Sequence, residues 1–331
     1  MRFLDDPKLY TDYEYFCKHF QWSNNNPRRD TLVYHCYWTG IANALHLLSI
    51  KSLLVSQSPP YEIWVWMPPT DLKANRAFVN SLTDAYCVKF LPYSVRRETQ
   101  STPFKDCHRV INGGRQAGAA AKSDGLRSLA LAKYGGIYFD LDVLFLRDLR
   151  PLCNVDFCYQ WSDRPWANTA VAHARRGSSN FSELLLRGRK IQSLHPARLL
   201  DFAATKDSFD DLYVFPSFLF DPLWITNDRN KRCKRNHTVF DDFFTHKTAV
   251  TLVDFCHASY AYHWHNRWER TIQPGTIIGQ LCEEIEHKYE TLFRNSRHNG
   301  AIETQQLNES SLIEMRPAQS ALGTDRDIPV E

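Results

Sequence analysis

Residues 121–152 read AKSDGLRSLALAKYGGIYFDLDVLFLRDLRPL. In residues 119–134, Leu126, Leu129, Ala130 and the stem of Lys133 fall on one stripe, the spacing of a helix that buries one face. Gly135 and Gly136 follow, and glycine is favoured just past a helix C-terminus. Residues 137–146 are then an apolar run, expected as a buried strand that carries Asp140 and Asp142. Side chains at i and i+2 of a strand share a face. The two carboxylates are therefore expected to project together, roughly 7 Å apart at ~3.3 Å per residue. An acid in an apolar strand needs a paired charge or a metal. Two on one face suit a hard cation such as Mn²⁺ or Mg²⁺, which also takes phosphate oxygens. The tripeptide arises by composition too, and Asp325-Arg326-Asp327 reads as solvated surface. Asp124 and Arg127, three residues apart, share a helix face. Alone they would be a surface ion pair of little energy. The Gly-Gly turn, however, runs their helix straight into the carboxylate strand, so both groups converge on one ligand.

Working outward, residues 31–38 (TLVYHCYW) read as a strand, 41–55 as a helix, 61–67 (YEIWVWM) as a strand, a stretch near 72–85 as a helix and 86–91 as a strand. This alternation predicts an α/β fold, a mixed, mostly parallel sheet flanked by helices, with ligands at the carboxyl ends of its strands. Residues 157–161, 171–173 and 213–215 are short strands or loops, 248–264 is strand-like and aromatic, and 283–293 is helical. Residues 227–237 form a basic loop. Residues 294–331 hold no Phe, Trp or Tyr, and a disordered tail is expected there. The expected organisation is an N-terminal extension over 1–30, one catalytic domain over 31–293 and the tail.

The chain has 331 residues and a formal net charge of +3, from 40 Lys plus Arg against 37 Asp plus Glu. That balance argues against a nucleic-acid binder, which carries a strong basic excess. The basic loop then reads as solvated or as a contact with acidic acceptors or membrane headgroups. No apolar run approaches the roughly 18 residues that span a bilayer, and the acidic, aromatic N-terminus lacks a signal-peptide core. A cytoplasmic or membrane-peripheral location is expected, or the Golgi lumen if further chain precedes this one. Nine Cys without a CxxC pair suggest reduced, buried thiols rather than a zinc cluster.

The order Lys122-Ser123-Asp124 with Arg127, then Tyr134-Gly135-Gly136, then Asp140-Leu141-Asp142 resembles the signature of the GT32-like glycosyltransferases with a D-x-D motif. Yeast initiation mannosyltransferases, α1,4-galactosyl- and N-acetylglucosaminyltransferases and bacterial capsule enzymes belong to that family. VYHCYWTG at 33–40 and YAYHWHNRW at 260–268 resemble the family's first strand and its C-terminal His-Trp segment. The resemblance implies a GT-A-type nucleotide-sugar-binding fold. It also implies a metal-dependent transfer of a hexose from a UDP- or GDP-sugar to a glycan, glycolipid or glycoprotein hydroxyl, with retention. Asp140, Asp142 and His263 would hold Mn²⁺ or Mg²⁺, with His265 the alternative to His263. Asp124 and Arg127 would contact the donor sugar, Trp38 the base and Trp268 the phosphates. Asn168 would lie where the acceptor face forms. Arg267 stands where the family often has Ser.

Two other classes share these residues. A haloacid-dehalogenase-type phosphatase also opens on D-x-D, but its later G-D-x-x-x-D pair is absent from the sequence. A nucleotide-sugar or glycan-binding module without turnover would keep both aspartates and bind UDP with Mn²⁺ while releasing no product.

Overall fold

The computed structural model describes residues 1–22, 30–82, 85–114, 118–205, 208–222, 244–245 and 258–307, with side chains as far as residue 293. They fall into a unit Met1–Tyr289 and a second, Glu290–Glu331. In the first unit the strands are β1 (Leu32–Tyr37), β2 (Tyr61–Met67), β3 (Val88–Pro92), β4 (Gly136–Phe139), β5 (Val143–Phe145), β6 (Asp156–Gln160), β7 (Ala167–Ala174), β8 (Leu212–Phe215) and β9 (Ala261–His263). The helices before the C-terminal one are α1 (Tyr13–His19), α2 (Ala44–Ser56), α3 (Pro69–Ala74), α4 (Arg76–Asn80), α5 (Val95–Thr99), α6 (His108–Ile111), α7 (Ala119–Tyr134), α8 (Ser179–Ile191) and α9 (Pro196–Leu199).

Seven strands form one sheet in the order β3-β2-β1-β4-β7-β6-β8. β7 alone runs against its neighbours; the other pairings in the sheet are parallel. Parallel strands covered on both faces read as near-continuous apolar runs, as in Ile63, Val65, Trp66 and Met67 or Ile137, Tyr138 and Phe139, all buried. The mixed, mostly parallel sheet agrees with the sequence expectation.

α7 delivers its ion pair to the site because its other faces are fixed. Leu126, Leu129 and Leu131 are buried. At Gly125 the backbone of α6 approaches so closely that a Cβ would lie 1.8 Å from the Ile111 carbonyl oxygen. At Gly136 φ is +88° and a Cβ would meet the Val33 carbonyl at 2.2 Å, so β4 can enter the sheet beside β1 only as glycine.

Three elements depart from the sequence reading. The single helix expected near 72–85 is two, α3 and α4, divided at Asn75. The Asn75 side chain donates to the Gly40 and Asp71 carbonyls and accepts from Ala42 N, which ties this break to the loop after β1. The strand expected over 137–146 is β4, a turn at residues 140–142, and β5, which leaves the main sheet to pair antiparallel with β9. The C-terminal helix runs Ile277–Leu307, beyond residue 293 where disorder was expected to begin. A lack of aromatics removes packing groups, whereas helix formers such as Ala, Glu and Gln sustain the backbone without them. The loop 227–237, residues 248–257 of the strand-like stretch and the remainder of the tail lie outside the described residues.

The N-terminal extension is not detached. Arg2 bridges to Tyr213 of the edge strand β8, Tyr10 donates to the Val214 carbonyl at 2.6 Å, and Phe16 is fully buried against Phe218. Among the described residues, no helix is long and apolar enough to cross a membrane.

Candidate active site

The D-x-D residues lie at the carboxyl end of β4, where the chain passes from the large sheet to the small one. Asp140 N makes the last ladder bond, to Ala170 O of β7 at 2.8 Å, and Val143 N closes the turn on Asp140 O at 3.1 Å. The side chains do not share a strand face as expected; in the turn each takes its own partners. Asp140 accepts from Arg127 Nη2 on both oxygens, at 2.7 and 2.8 Å, and its Oδ1 also accepts from Ser123 Oγ and Tyr138 Oη. Asp142 is buried; its Oδ2 lies 3.1 Å from His263 Nε2 and accepts from Asn266 N at 2.8 Å. The β5–β9 register places His263 opposite Val143, so the small sheet brings His263 to Asp142.

A second carboxylate completes this group. Asp221 Oδ2 lies 2.6 Å from His265 Nε2 and 3.7 Å from His263 Nδ1. Ligand atoms of Asp221, His263 and His265 lie within 4.8 Å of one another. Asp221 Oδ1 is buried and takes no donor among the described residues. Such an oxygen is costly to leave unmet, and a cation would satisfy it. Burial opposes charge on His263, but Asp142 and Asp221 outweigh it and raise its pKa. Asp142 is held below the usual carboxylate range; burial works the other way, and His263 overcomes it. Burial holds His265 down, to about 4, against the pull of Asp221. Two imidazoles and carboxylate oxygens fit a divalent ion such as Mn²⁺; Mg²⁺ favours oxygen alone.

On α7, Asp124 Oδ1 pairs with Arg127 Nη1 at 3.3 Å. Asp124 is pushed up to about 7 by burial, against Arg127 and with Asp140. Arg127 is buried, and besides Asp140 it reaches Thr169 Oγ1 of β7. These groups share one cavity of about 560 Å³, lined by Asp124, Arg127, Asp140, Asp142, His263 and His265 together with Trp38, Asn168 and Trp268. All the sequence-predicted site residues therefore meet at one place. Arg267 is not among the lining residues, and Trp264 is fully buried in the core, so it offers no face to a sugar.

Sequence reasoning missed Asp221 and His46. The ring of His46 lies parallel to Trp268, 4.0 Å away at 7°, with Trp38 edge-on at 3.9 Å. Its Nε2 and Trp38 Nε1 are buried without partners among the described residues. Asn43, the cap of α2, accepts from Leu45 N and also donates to the Trp268 carbonyl. The Asp221 signal was an acid in the apolar run FLFDPLW, the same criterion that marked D-x-D.

Residues 45–157 match the family model described as a glycosyltransferase sugar-binding region containing a DXD motif. That stretch, about a third of the chain, is thus similar to a glycosyltransferase sugar-binding region. The matched stretch contains Asp124, Arg127, Asp140 and Asp142 and stops before Asn168, Asp221 and His263. No curated protein matches the chain. The chain is similar to solved glycosyltransferases at low identity. GlyE of Streptococcus pneumoniae TIGR4 is 10% identical, over 82% of this chain and 64% of that one, with a TM-score of 0.44. The galactosyltransferase LgtC, solved with donor and acceptor sugar analogs, is 12% identical over 78% and 95%, with a TM-score of 0.40. The PaToxG glycosyltransferase is 18% identical over 54% and 69%, with a TM-score of 0.41.

Proposed function

We propose that the chain transfers a hexose from a UDP- or GDP-sugar to a hydroxyl of a glycan, glycolipid or glycoprotein, metal-dependently and with retention. One observation carries this reading: the Asp142–His263–Asp221–His265 group and the Asp140–Arg127–Asp124 group open into the same cavity, walled by Trp38 and Trp268. A divalent ion, Mn²⁺ in preference to Mg²⁺ on this donor set, would be held by Asp142, His263, His265 and Asp221, beside Asp140, and would supply Lewis-acid stabilisation of the leaving diphosphate.

The chain's own residues do the rest. Trp38 and Trp268 present aromatic surface for the base, and Trp38 Nε1 gains an acceptor when a ligand enters. Asp124, near the middle of its titration at neutral pH, both accepts and donates hydrogen bonds to sugar hydroxyls. Arg127 is fixed by Asp140, Asp124 and Thr169, so its positive charge is aimed before substrate arrives, and preorganised charge is what stabilises a developing anion. In the transfer the bond from the anomeric carbon to the phosphate oxygen breaks and its electron pair leaves with the diphosphate. The acceptor oxygen bonds to that carbon, and the hydroxyl proton passes to the departing phosphate. The phosphatase alternative would need a later G-D-x-x-x-D pair, which the sequence lacks.

The test is release of UDP or GDP from a panel of nucleotide sugars, with and without Mn²⁺. Wild type is expected to release nucleotide from one donor only with metal, and Asp142→Asn is expected to lower that rate about 100-fold or more. Turnover of every active donor unchanged by chelation, or by Asp142→Asn, rules the reading out.

A further inference from the structure

The layer outside α7 carries more net positive charge than the whole chain. Residues 95–109, with α5 and α6, and residues 179–192, with α8, hold seven Lys and Arg against three Asp and Glu, whereas the entire chain has a formal net charge of +3. The two segments pack as one layer. Cys107 Sγ lies 3.9 Å from the Leu185 carbonyl, and Arg189 pairs with Asp106 at 3.5 Å. Val110, Ile111, Leu184 and Leu185 share a core with Leu126 and Leu129 of α7. Each acid of the layer is already met: Glu98 by Lys133 and Arg97, Glu183 by Arg187, and Asp106 by Arg189. Arg96, Lys105, Arg109 and Lys190 are exposed, and none of them pairs with a carboxylate among the described residues.

Two aliphatic side chains stand among these cations. Leu186 is 41% exposed and Ile191 49%, and in sequence they flank Arg187, Arg189 and Lys190. A cationic face alone fits any polyanion. Protruding aliphatics between the cations fit a surface that has negative charge outermost and hydrocarbon just beneath it. We propose that this layer docks the chain on a membrane surface rich in anionic lipid, with Leu186 and Ile191 entering the headgroup region. After α8 the chain runs directly to His195 and Pro196 in the lining of the D-x-D cavity, so docking holds that cavity beside the membrane. The inference is independent of the glycosyltransfer reading, and its test needs no turnover.

Co-sedimentation of the full chain with vesicles tests it. Wild type is expected to bind phosphatidylcholine vesicles that contain ~30% phosphatidylserine and not phosphatidylcholine alone, and to lose about tenfold or more in affinity between ~50 and ~300 mM salt. Arg109→Gln with Lys190→Gln is expected to weaken binding about tenfold or more, and Arg96→Gln with Lys105→Gln about as much. Leu186→Gln with Ile191→Gln is expected to weaken it about threefold or more. Lys73→Gln with Arg76→Gln removes the same charge from α3 and α4, outside the layer, and is expected to change the affinity less than about twofold. Circular dichroism confirms that each variant is folded, and either basic pair serves if the other is not.

No binding to the phosphatidylserine vesicles at ~50 mM salt overturns the proposal. So does an equal loss from the Lys73 and Arg76 pair, which would make net charge alone responsible. Tighter binding to heparin or duplex DNA than to the vesicles, unchanged by the Leu186 and Ile191 substitutions, overturns the lipid surface as the occupant.

Discussion

Asp124 is a carboxyl that folding moves into a nearly closed space beside another acid. Its pKa is held at about 7 by burial, against Arg127, while an aspartate in an open chain titrates near ~4. The folded state therefore binds this proton more tightly. Folding is favoured most where both states are protonated and loses that advantage as the pH rises from about 4 toward 7. Asp124→Asn removes the titration. The melting temperature of wild type relative to the variant is expected to fall between pH 4 and pH 8, and parallel melting curves would show it. Asp221→Asn is expected to weaken Mn²⁺ binding about 10- to 100-fold by calorimetry, because Asp221 has a buried oxygen in reach of nothing else described. At this scale the sequence carried charge and type but not partnership. Asp140 and Asp142 were visible as acids in an apolar run, yet their assignment to Arg127 and to His263 depends on contacts with residues 13 and 121 positions away. Nothing in the sequence of the helix 41–55 singles out His46; only the parallel ring of Trp268 gives it a place.

Elements were more legible, because periodicity is local. β2 and α7 match their expected bounds, and β1 and α2 differ from theirs at the ends. Where the reading failed, a side chain had broken the period: Asn75 by bonding backwards to the loop after β1, and Asp140 by stopping β4. The tightest contact between elements is Gly125 of α7 against α6. A methyl there would sit 1.8 Å from a backbone oxygen that no rotamer can move. Gly125→Ala is accordingly expected to cost about 3 kcal/mol or more by denaturant unfolding, the upper end for overpacking, despite the helix preference for alanine. Since α7 carries Asp124 and Arg127, the same variant should also weaken donor binding.

Over the whole molecule, the alternation of strands and helices was enough to predict the parallel side of the sheet, but not where direction reverses. β7 runs antiparallel because only residues 161–166 separate it from β6, too short for a crossover. The extension at the N-terminus, too, carried no sign that it would cover β8. Edge strands invite pairing with other chains, so this cover is structural. Phe16, fully buried against Phe218, makes it measurable: Phe16→Ala is expected to cost about 3–5 kcal/mol in chemical unfolding. The small sheet has a further consequence. All seven strands of the large sheet are complete by Phe215, whereas His263 and His265 arrive only with β9 and the loop after it. During synthesis the ribosome delivers the sheet first and both imidazoles last. A nascent chain that has reached Phe215 thus has its D-x-D aspartates but neither His263 nor His265, and the candidate Asp–His cluster is completed only when the segment around β9 emerges.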